Sequence, residues 1–296
     1  MTRKKMLFIY NPKSGKAQIK NYLADILDVF VRAGYEVTVY PTQKRGDAVD
    51  LVIHRKPDCD LVVCSGGDGT LDEVVTGIFQ SDFMTPIGYI PAGSTNDFGG
   101  SLGLPKNMVQ AAEIVTSGKG FASDIGLFND DVFVYIAAFG LFTNVSYETA
   151  QDMKNMLGHT AYLLAGIKSF INISSHAMKI TYGDTVIEDE FIFGMITNSE
   201  SVGGFKNITG PDVKLDDGVF EVTLIKKPRN AMELNEIIVS LMSCDFNSSV
   251  MCCFKTPELL IESAEPVAWT LDGEYGGNHK EAHILNKHKA IEIRVE

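Results

Sequence analysis

Short apolar runs alternate with helical periodicity through about residue 120. Met6-Leu7-Phe8-Ile9-Tyr10 is a continuous apolar run that predicts a strand over 6–10. Ile19, Tyr22, Leu23, Ile26, Leu27 and Phe30 then recur at the spacing of one helix face. Further strands are predicted over 36–40, 61–64 and 86–90, with helices near 46–55, 70–80 and 106–118. Strand and helix in alternation imply a parallel sheet covered on both faces.

After about Asp124 the texture changes. Strands are predicted over 131–139, 178–182, 186–197, 219–226, 258–262 and 291–295, and Gly183-Asp184 has the length of a two-residue hairpin turn. Ile291, Ile293 and Val295 alternate with Glu292, Arg294 and Glu296, the mark of a half-buried antiparallel strand. Helices interrupt the pattern at about 158–171 and 229–242. The expected fold class is α/β plus mainly β: a parallel αβα domain over 1–124, then a β-sandwich domain over 125–296 whose last strand is able to return to the first domain.

Composition narrows the function classes. The chain has 296 residues, 45% hydrophobic and 22% charged, ordinary globular values that disfavour disorder. Lys and Arg total 26 against 38 Asp and Glu, a net charge of −12, which argues against nucleic acid as a partner. The five cysteines show no CxxC spacing and read as buried thiols of a reducing cytosol. The apolar run after the basic start is cut by Asn11-Pro12 after about five residues, too short for a signal peptide, and no stretch reaches the roughly 18 apolar residues of a membrane span. His279-x-x-x-His283 reads as a polar turn entering a strand rather than a zinc pair, and 160–173 reads as a helix packed on the sandwich, with a membrane-surface helix as the lesser reading.

The chemistry concentrates in loops. Gly66-Gly67-Asp68-Gly69-Thr70 follows a strand and enters a helix carrying Leu71, Val74, Val75 and Ile78, so its glycines let backbone N–H groups approach an anion at a helix N-terminus. Asp68 stands where phosphate would sit, which makes sense with a divalent cation between them. Asn11-Pro12-Lys13-Ser14-Gly15 ends the first strand and Pro91-Ala92-Gly93-Ser94-Thr95-Asn96-Asp97 ends another, so three loops converge on one sheet edge. Lys13 and Lys16 can offset phosphate charge there, and Asp97 adds a second carboxylate. A Walker P-loop fails, because Ser14-Gly15-Lys16-Ala17 lacks the upstream glycine and the final Ser/Thr; Gly67-Asp68-Gly69 lacks the third glycine of a dinucleotide fingerprint. Asp272-Gly273-Glu274 follows a strand-like run holding the single tryptophan, Trp269; by itself it reads as a solvated turn, but beside phosphate-type loops it offers a base.

These loops, with Lys214-Leu215-Asp216-Asp217-Gly218 and Leu271-Asp272-Gly273-Glu274, resemble the diacylglycerol kinase catalytic-domain superfamily, in particular its bacterial lipid kinases, across essentially the whole chain. The resemblance implies a nucleotide-binding α/β domain, a β-sandwich domain, and transfer of phosphate from ATP to a lipid hydroxyl in the cleft between them. It implies ATP contacts from Asn11, Pro12, Lys13, Ser14 and Gly15, from Gly67, Asp68, Gly69, Thr70, Leu71, Asp72 and Glu73, from Ser94 and Asp97, and a lesser one from Thr42. It also implies an acidic network of Asp68, Asp97 and Asp124 around a catalytic Mg²⁺. Glu274 resembles the general base, with Asp272 beside it. A structural Mg²⁺ is implied at Asp217 with the carbonyls of Lys214 and Val219. Two positions depart from the family's pattern: Ser94 precedes Thr95-Asn96-Asp97 where Gly-Thr-x-Asn-Asp is usual, and Asp72 stands where Asn is commoner, adding negative charge near the phosphates.

The expectation is a cytoplasmic lipid kinase, peripheral to the inner membrane face, with Mg²⁺ and ATP; the acceptor and any homo-oligomer are left open. The rivals are an NAD kinase-like enzyme, which shares the Gly-Gly-Asp-Gly-Thr turn, and a catalytically silent nucleotide-binding regulator.

Overall fold

The computed structural model describes residues 3–55, 59–81, 85–141, 174–206, 208–243 and 248–296. Alternation in β1 (Lys4–Tyr10) sends Met6 and Phe8 to one face and Leu7 and Ile9 to the other, all buried, so the strand needs cover on both sides. It pairs in parallel with β2 (Tyr35–Pro41) and β3 (Leu61–Gly66), and β3 pairs in parallel with β4 (Ile87–Pro91), giving the order β2-β1-β3-β4. The helices are α1 (Ile19–Arg32), α2 (Asp47–Arg55), α3 (Asp68–Gln80), the short α4 (Asp97–Ser101) and α5 (Met108–Ser117). Ile26 and Phe30 of α1 and Ala111 and Val115 of α5 pack on the Met6 and Phe8 face. Ala48 and Val52 of α2 and Leu71, Val74 and Val75 of α3 pack on the opposite face, against Leu7, Ile9 and Val62. The strand order reverses at β1 and β3, and the crevice outside their carboxyl ends is where open α/β sheets hold ligands.

The second half comprises β5 (Lys119–Phe128), β6 (Asp131–Phe133), β7 (Ile136–Gly140), β8 (His176–Tyr182), β9 (Thr185–Thr197), the small hairpin β10 (Ser201–Val202) and β11 (Phe205–Lys206), β12 (Phe220–Lys226), α6 (Ala231–Ser243), β13 (Met251–Thr256), β14 (Glu258–Leu271) and β15 (Glu274–Val295). The described pairings among these strands are antiparallel. β8 joins both β9 and β14, and β7 also joins both, so the sheet closes on itself. Its core centres on buried Trp269, whose ring lies 4.8 Å from Phe128 and 4.9 Å from Phe139. The molecule is thus a mixed α/β N-terminal region followed by a β-rich C-terminal region.

Several expectations need correction. The strand foreseen over 131–139 is split into β6 and β7, because Val134, Tyr135 and Ile136 turn their N–H groups onto the carboxylate of Asp272. The runs at 258–262 and 291–295 are parts of the much longer β14 and β15, and β5 and β13 were not foreseen. Past a register shift between Lys287 and Ile291, β15 continues along β5 and reaches β4 in parallel at Ile293 and Ile87. The Gly183-Asp184 turn forms, with Tyr182 paired to Thr185. The helix near 229–242 is α6, started by Asn230, whose Oδ1 accepts from the N–H groups of Met232 and Glu233 at 2.9 Å each. The helix expected over 158–171, and the packing expected of 160–173, lie outside the described residues.

Candidate active site

Three loops meet at the carboxyl edge of the parallel sheet. The first leaves β1 with the N–H of Asn11 bonded to the Ser65 carbonyl at 2.8 Å, and the Asn11 side chain accepts from the N–H of Lys13 at 2.9 Å. Gly15 takes φ +54, and a Cβ there would collide with the Ala92 carbonyl oxygen. Gly67 and Gly93 lie back to back: a Cβ on Gly93 would come 2.5 Å from Gly67 Cα, and one on Gly67 would come 3.5 Å from Ser14 Oγ. The close approach of backbones explains why glycine is needed at Gly93, whereas a Cβ on Gly67 would meet only ordinary contacts. Asn96, itself in the left-handed region at φ 54, locks the third loop by accepting from the Gly93 N–H at 2.7 Å and donating to its carbonyl at 3.0 Å. Thr42 adjoins the first loop through its N–H, bonded to the Tyr10 carbonyl at 2.9 Å. α3 starts from Gly67 with no side-chain cap, which leaves its positive end to an anion.

Asp68 and Asp97 are brought together. Asp68 accepts from the N–H groups of Asp97 and Phe98 at 3.2 and 3.3 Å and from the Thr95 hydroxyl at 3.4 Å. Burial, and then the charge of Asp97, push the Asp68 carboxyl up to about 6 despite these donors. Asp97 accepts from the Ser201 hydroxyl and the Gly204 N–H, each at 2.8 Å, which ties α4 to the β10–β11 hairpin. Asp124 does not join this pair by hydrogen bonds. One of its oxygens accepts from the Gly218 N–H at 2.6 Å and the other from the Lys289 N–H at 2.7 Å and His288 Nδ1 at 3.0 Å. It therefore fastens the 214–218 loop, where Asp217 accepts from the Val219 N–H at 3.3 Å. Among the described residues no group of three or more His, Cys, Asp or Glu side chains could hold a metal ion, so a cation at Asp68 and Asp97 would have to draw ligands from phosphate as well. His279 and His283 lie within β15, where His279 contacts the Gly276 carbonyl and His283 contacts Glu258.

The Asp272-Gly273 turn joins β14 to β15, with Leu271 paired to Glu274 and both turn residues at positive φ, +50 and +84. It is not a solvated turn: Asp272 is 4% exposed and accepts from the N–H groups of Val134, Tyr135 and Ile136. Burial raises its carboxyl to about 6. On α3, Asp72 stands within hydrogen-bonding reach of Asp272, and burial and then that neighbour hold Asp72 well above the usual carboxylate range. The negative charge expected from Asp72 near the phosphates is thus disfavoured, and its carboxyl faces Asp272 instead. Glu73 accepts from the N–H groups of Gly46 and Ala48 at 2.8 and 3.0 Å, fastening the loop before α2. Leu71 is fully buried, so its side chain belongs to the core. Sequence reasoning missed Arg45, which pairs with Glu274 at 3.0 Å. The signal was available in Lys44-Arg45-Gly46, a basic loop following β2 on the same sheet edge.

Comparison with known proteins shows the family of the chain. The family model for the diacylglycerol kinase catalytic domain matches residues 5–128, and that for the YegS C-terminal NAD kinase beta sandwich-like domain matches residues 137–287. A diacylglycerol kinase of Staphylococcus carnosus (strain TM300) is 34% identical over 293 residues, 98% of this chain and 95% of its own. One of Bacillus subtilis (strain 168) is 34% identical over 276 residues, 93% of this chain and 91% of its own. A crystal structure of a diacylglycerol kinase from Bacillus anthracis str. Sterne superposes with a TM-score of 0.81 at 26% identity, over all of this chain and 98% of its own. Similarity that runs through both halves makes this chain a member of the diacylglycerol kinase family and a lipid kinase that transfers phosphate to an alcohol.

Proposed function

We propose that ATP lies across the three loops, with its phosphates at the N-terminus of α3, and that the acceptor is the hydroxyl of a lipid such as diacylglycerol. The observation that carries this reading is the reach of α3 between two places: its first turn adjoins the glycine loops, and Asp72 on its next turn meets the turn that bears Glu274. The donor loops and the turn bearing the base thereby meet along one helix, the positioning phosphoryl transfer needs most. The relatives named above as diacylglycerol kinases support the choice of acceptor.

The backbone of 11–15 and of 67–70 cradles the phosphates, aided by Lys13, while Ser94 and Thr42 border the cradle. Mg²⁺ bound at Asp68 and Asp97 would supply charge neutralisation; the fit rests on two neighbouring buried acids beside an uncapped helix end. Glu274 takes the hydroxyl proton as the acceptor oxygen attacks the terminal phosphorus, and the bond to the departing ADP oxygen breaks. Asp272 holds the turn that carries Glu274. A second Mg²⁺ at Asp217, Lys214 and Val219 would brace the 214–218 loop that Asp124 already anchors. The chain divides functionally near 124/125 into nucleotide and lipid domains, although β15 spans both. No described helix is long and apolar enough to cross a membrane, and the lipid is reached by peripheral contact from the cytoplasmic side.

An ADP-release assay over micellar diacylglycerol, phosphatidylglycerol, sphingosine-type bases and soluble NAD tests the acceptor; turnover with NAD alone overturns the lipid reading. Glu274→Ala should bind ATP and keep its melting temperature while turnover falls by about 10²–10⁴-fold. Undiminished turnover would remove Glu274 from the mechanism.

A further inference from the structure

We propose that Asp72 is a positioning residue for the phosphoryl transfer, sharing one proton with Asp272 and so holding the turn that bears Glu274 against α3. The inference rests on Glu274 acting as the base.

Asp72 Oδ1 is buried without a hydrogen-bond donor, yet the carboxyl stands within hydrogen-bonding reach of Asp272. Two carboxylates have no hydrogen to share, so contact at that range requires a proton on one of them. Asp272 is the ionised member, because three backbone N–H groups donate to it. Asp72 is then the acid and donates. The charged groups facing Asp72 are Asp272 and Glu274 on the turn and Glu73 beside it on α3, all acidic. Asp68, with Asp97, lies one turn nearer the helix start, and Arg45 reaches in from the loop before α2 to pair with Glu274. These acidic neighbours favour retention of the proton. Burial raises both carboxyls, and Asp72 is held well above the usual carboxylate range.

Because Asp72 is raised relative to the unfolded chain, the stability it contributes is present at low pH and is lost as pH rises through its folded value. Once that proton leaves, two buried carboxylates oppose each other, and the turn loses its hold on α3. Asparagine has the same shape and donates an N–H without needing a proton.

The test compares wild type with Asp72→Asn in turnover and urea midpoint from about pH 6 to about pH 10, beyond the ordinary carboxylate range. Wild-type kcat should decline on the alkaline side, approaching about tenfold per pH unit. The same limb should be absent from Asp72→Asn, and the wild-type urea midpoint should fall relative to the variant over the same interval. A wild type flat in both measurements, or an unchanged limb in the variant, overturns the proposal. Should Asp72→Asn not fold, infrared titration of wild type decides: a buried protonated carboxyl band must persist above neutral pH and vanish in step with kcat, and its absence refutes the shared proton. The stability readout is independent of turnover, so a failure of Glu274 as base and a failure of the proton pair are told apart.

Discussion

Asp124 and Asp272 are two buried aspartates that use one device in two settings. Each carboxylate gathers three donors from distant parts of the chain: Gly218, Lys289 and His288 for Asp124, and Val134, Tyr135 and Ile136 for Asp272. Around Asp124 one donor is a histidine side chain, His288. Around Asp272 the neighbouring titratable groups are acids, Asp72 above all. The first setting makes a joint between loops; the second makes a joint whose strength depends on a proton and which lies beside the proposed base. Local geometry is shared, and the neighbouring side chains distinguish the roles: a histidine that donates at Asp124, and acids at Asp272.

The largest effect expected from this contrast is that of Asp124→Ala, which leaves three donors facing no acceptor and should cost about 3–5 kcal/mol in urea unfolding. A loss below about 1 kcal/mol would mean the joint is replaceable by water. Asp272→Asn keeps one acceptor oxygen for three N–H groups and should cost about 2 kcal/mol, with a fall in kcat that the stability loss does not explain. If kcat per folded molecule were unchanged, the two aspartates would be equivalent and the comparison would fail. The smallest effect is that of His288→Ala. Its side chain is half exposed, so solvent screening limits the loss to under about 1 kcal/mol, measured by thermal unfolding.

The parallel sheet was legible because its strands are short continuous apolar runs ended by Asn-Pro, Gly-Gly or Pro-Ala-Gly. The convergence of three loops was legible for the same reason: in such a sheet all carboxyl ends share an edge. β15 was legible only at its end, 291–295, since the polar stretch from Asn278 to Glu281 conceals a strand whose pairing comes from β14. The break at Val134 and Tyr135 was equally hidden, because its cause lies more than 130 residues further on, at Asp272. Among site residues, type and loop could be read, but partner could not. Asp72 read as added charge and a nucleotide contact, Glu73 as a nucleotide contact, and Asp272-Gly273-Glu274 as a solvated turn by itself and a base beside the phosphate-type loops, whereas their engagement with Asp272, with the Gly46 and Ala48 amides and with buried backbone depends on packing between elements remote in sequence.

β15 also bears on how the molecule is made. Its pairing of Ile293 with Ile87 joins residues 206 positions apart (293 − 87), and its pairings with β5 span more than 150. Such closures come late and make folding slow. Until β15 is seated, the β4 edge of the nucleotide sheet has no neighbour on that side, an open template for strand addition from other chains. The strand that begins at Glu274 is thus also the one whose far end, at Ile293, closes this edge.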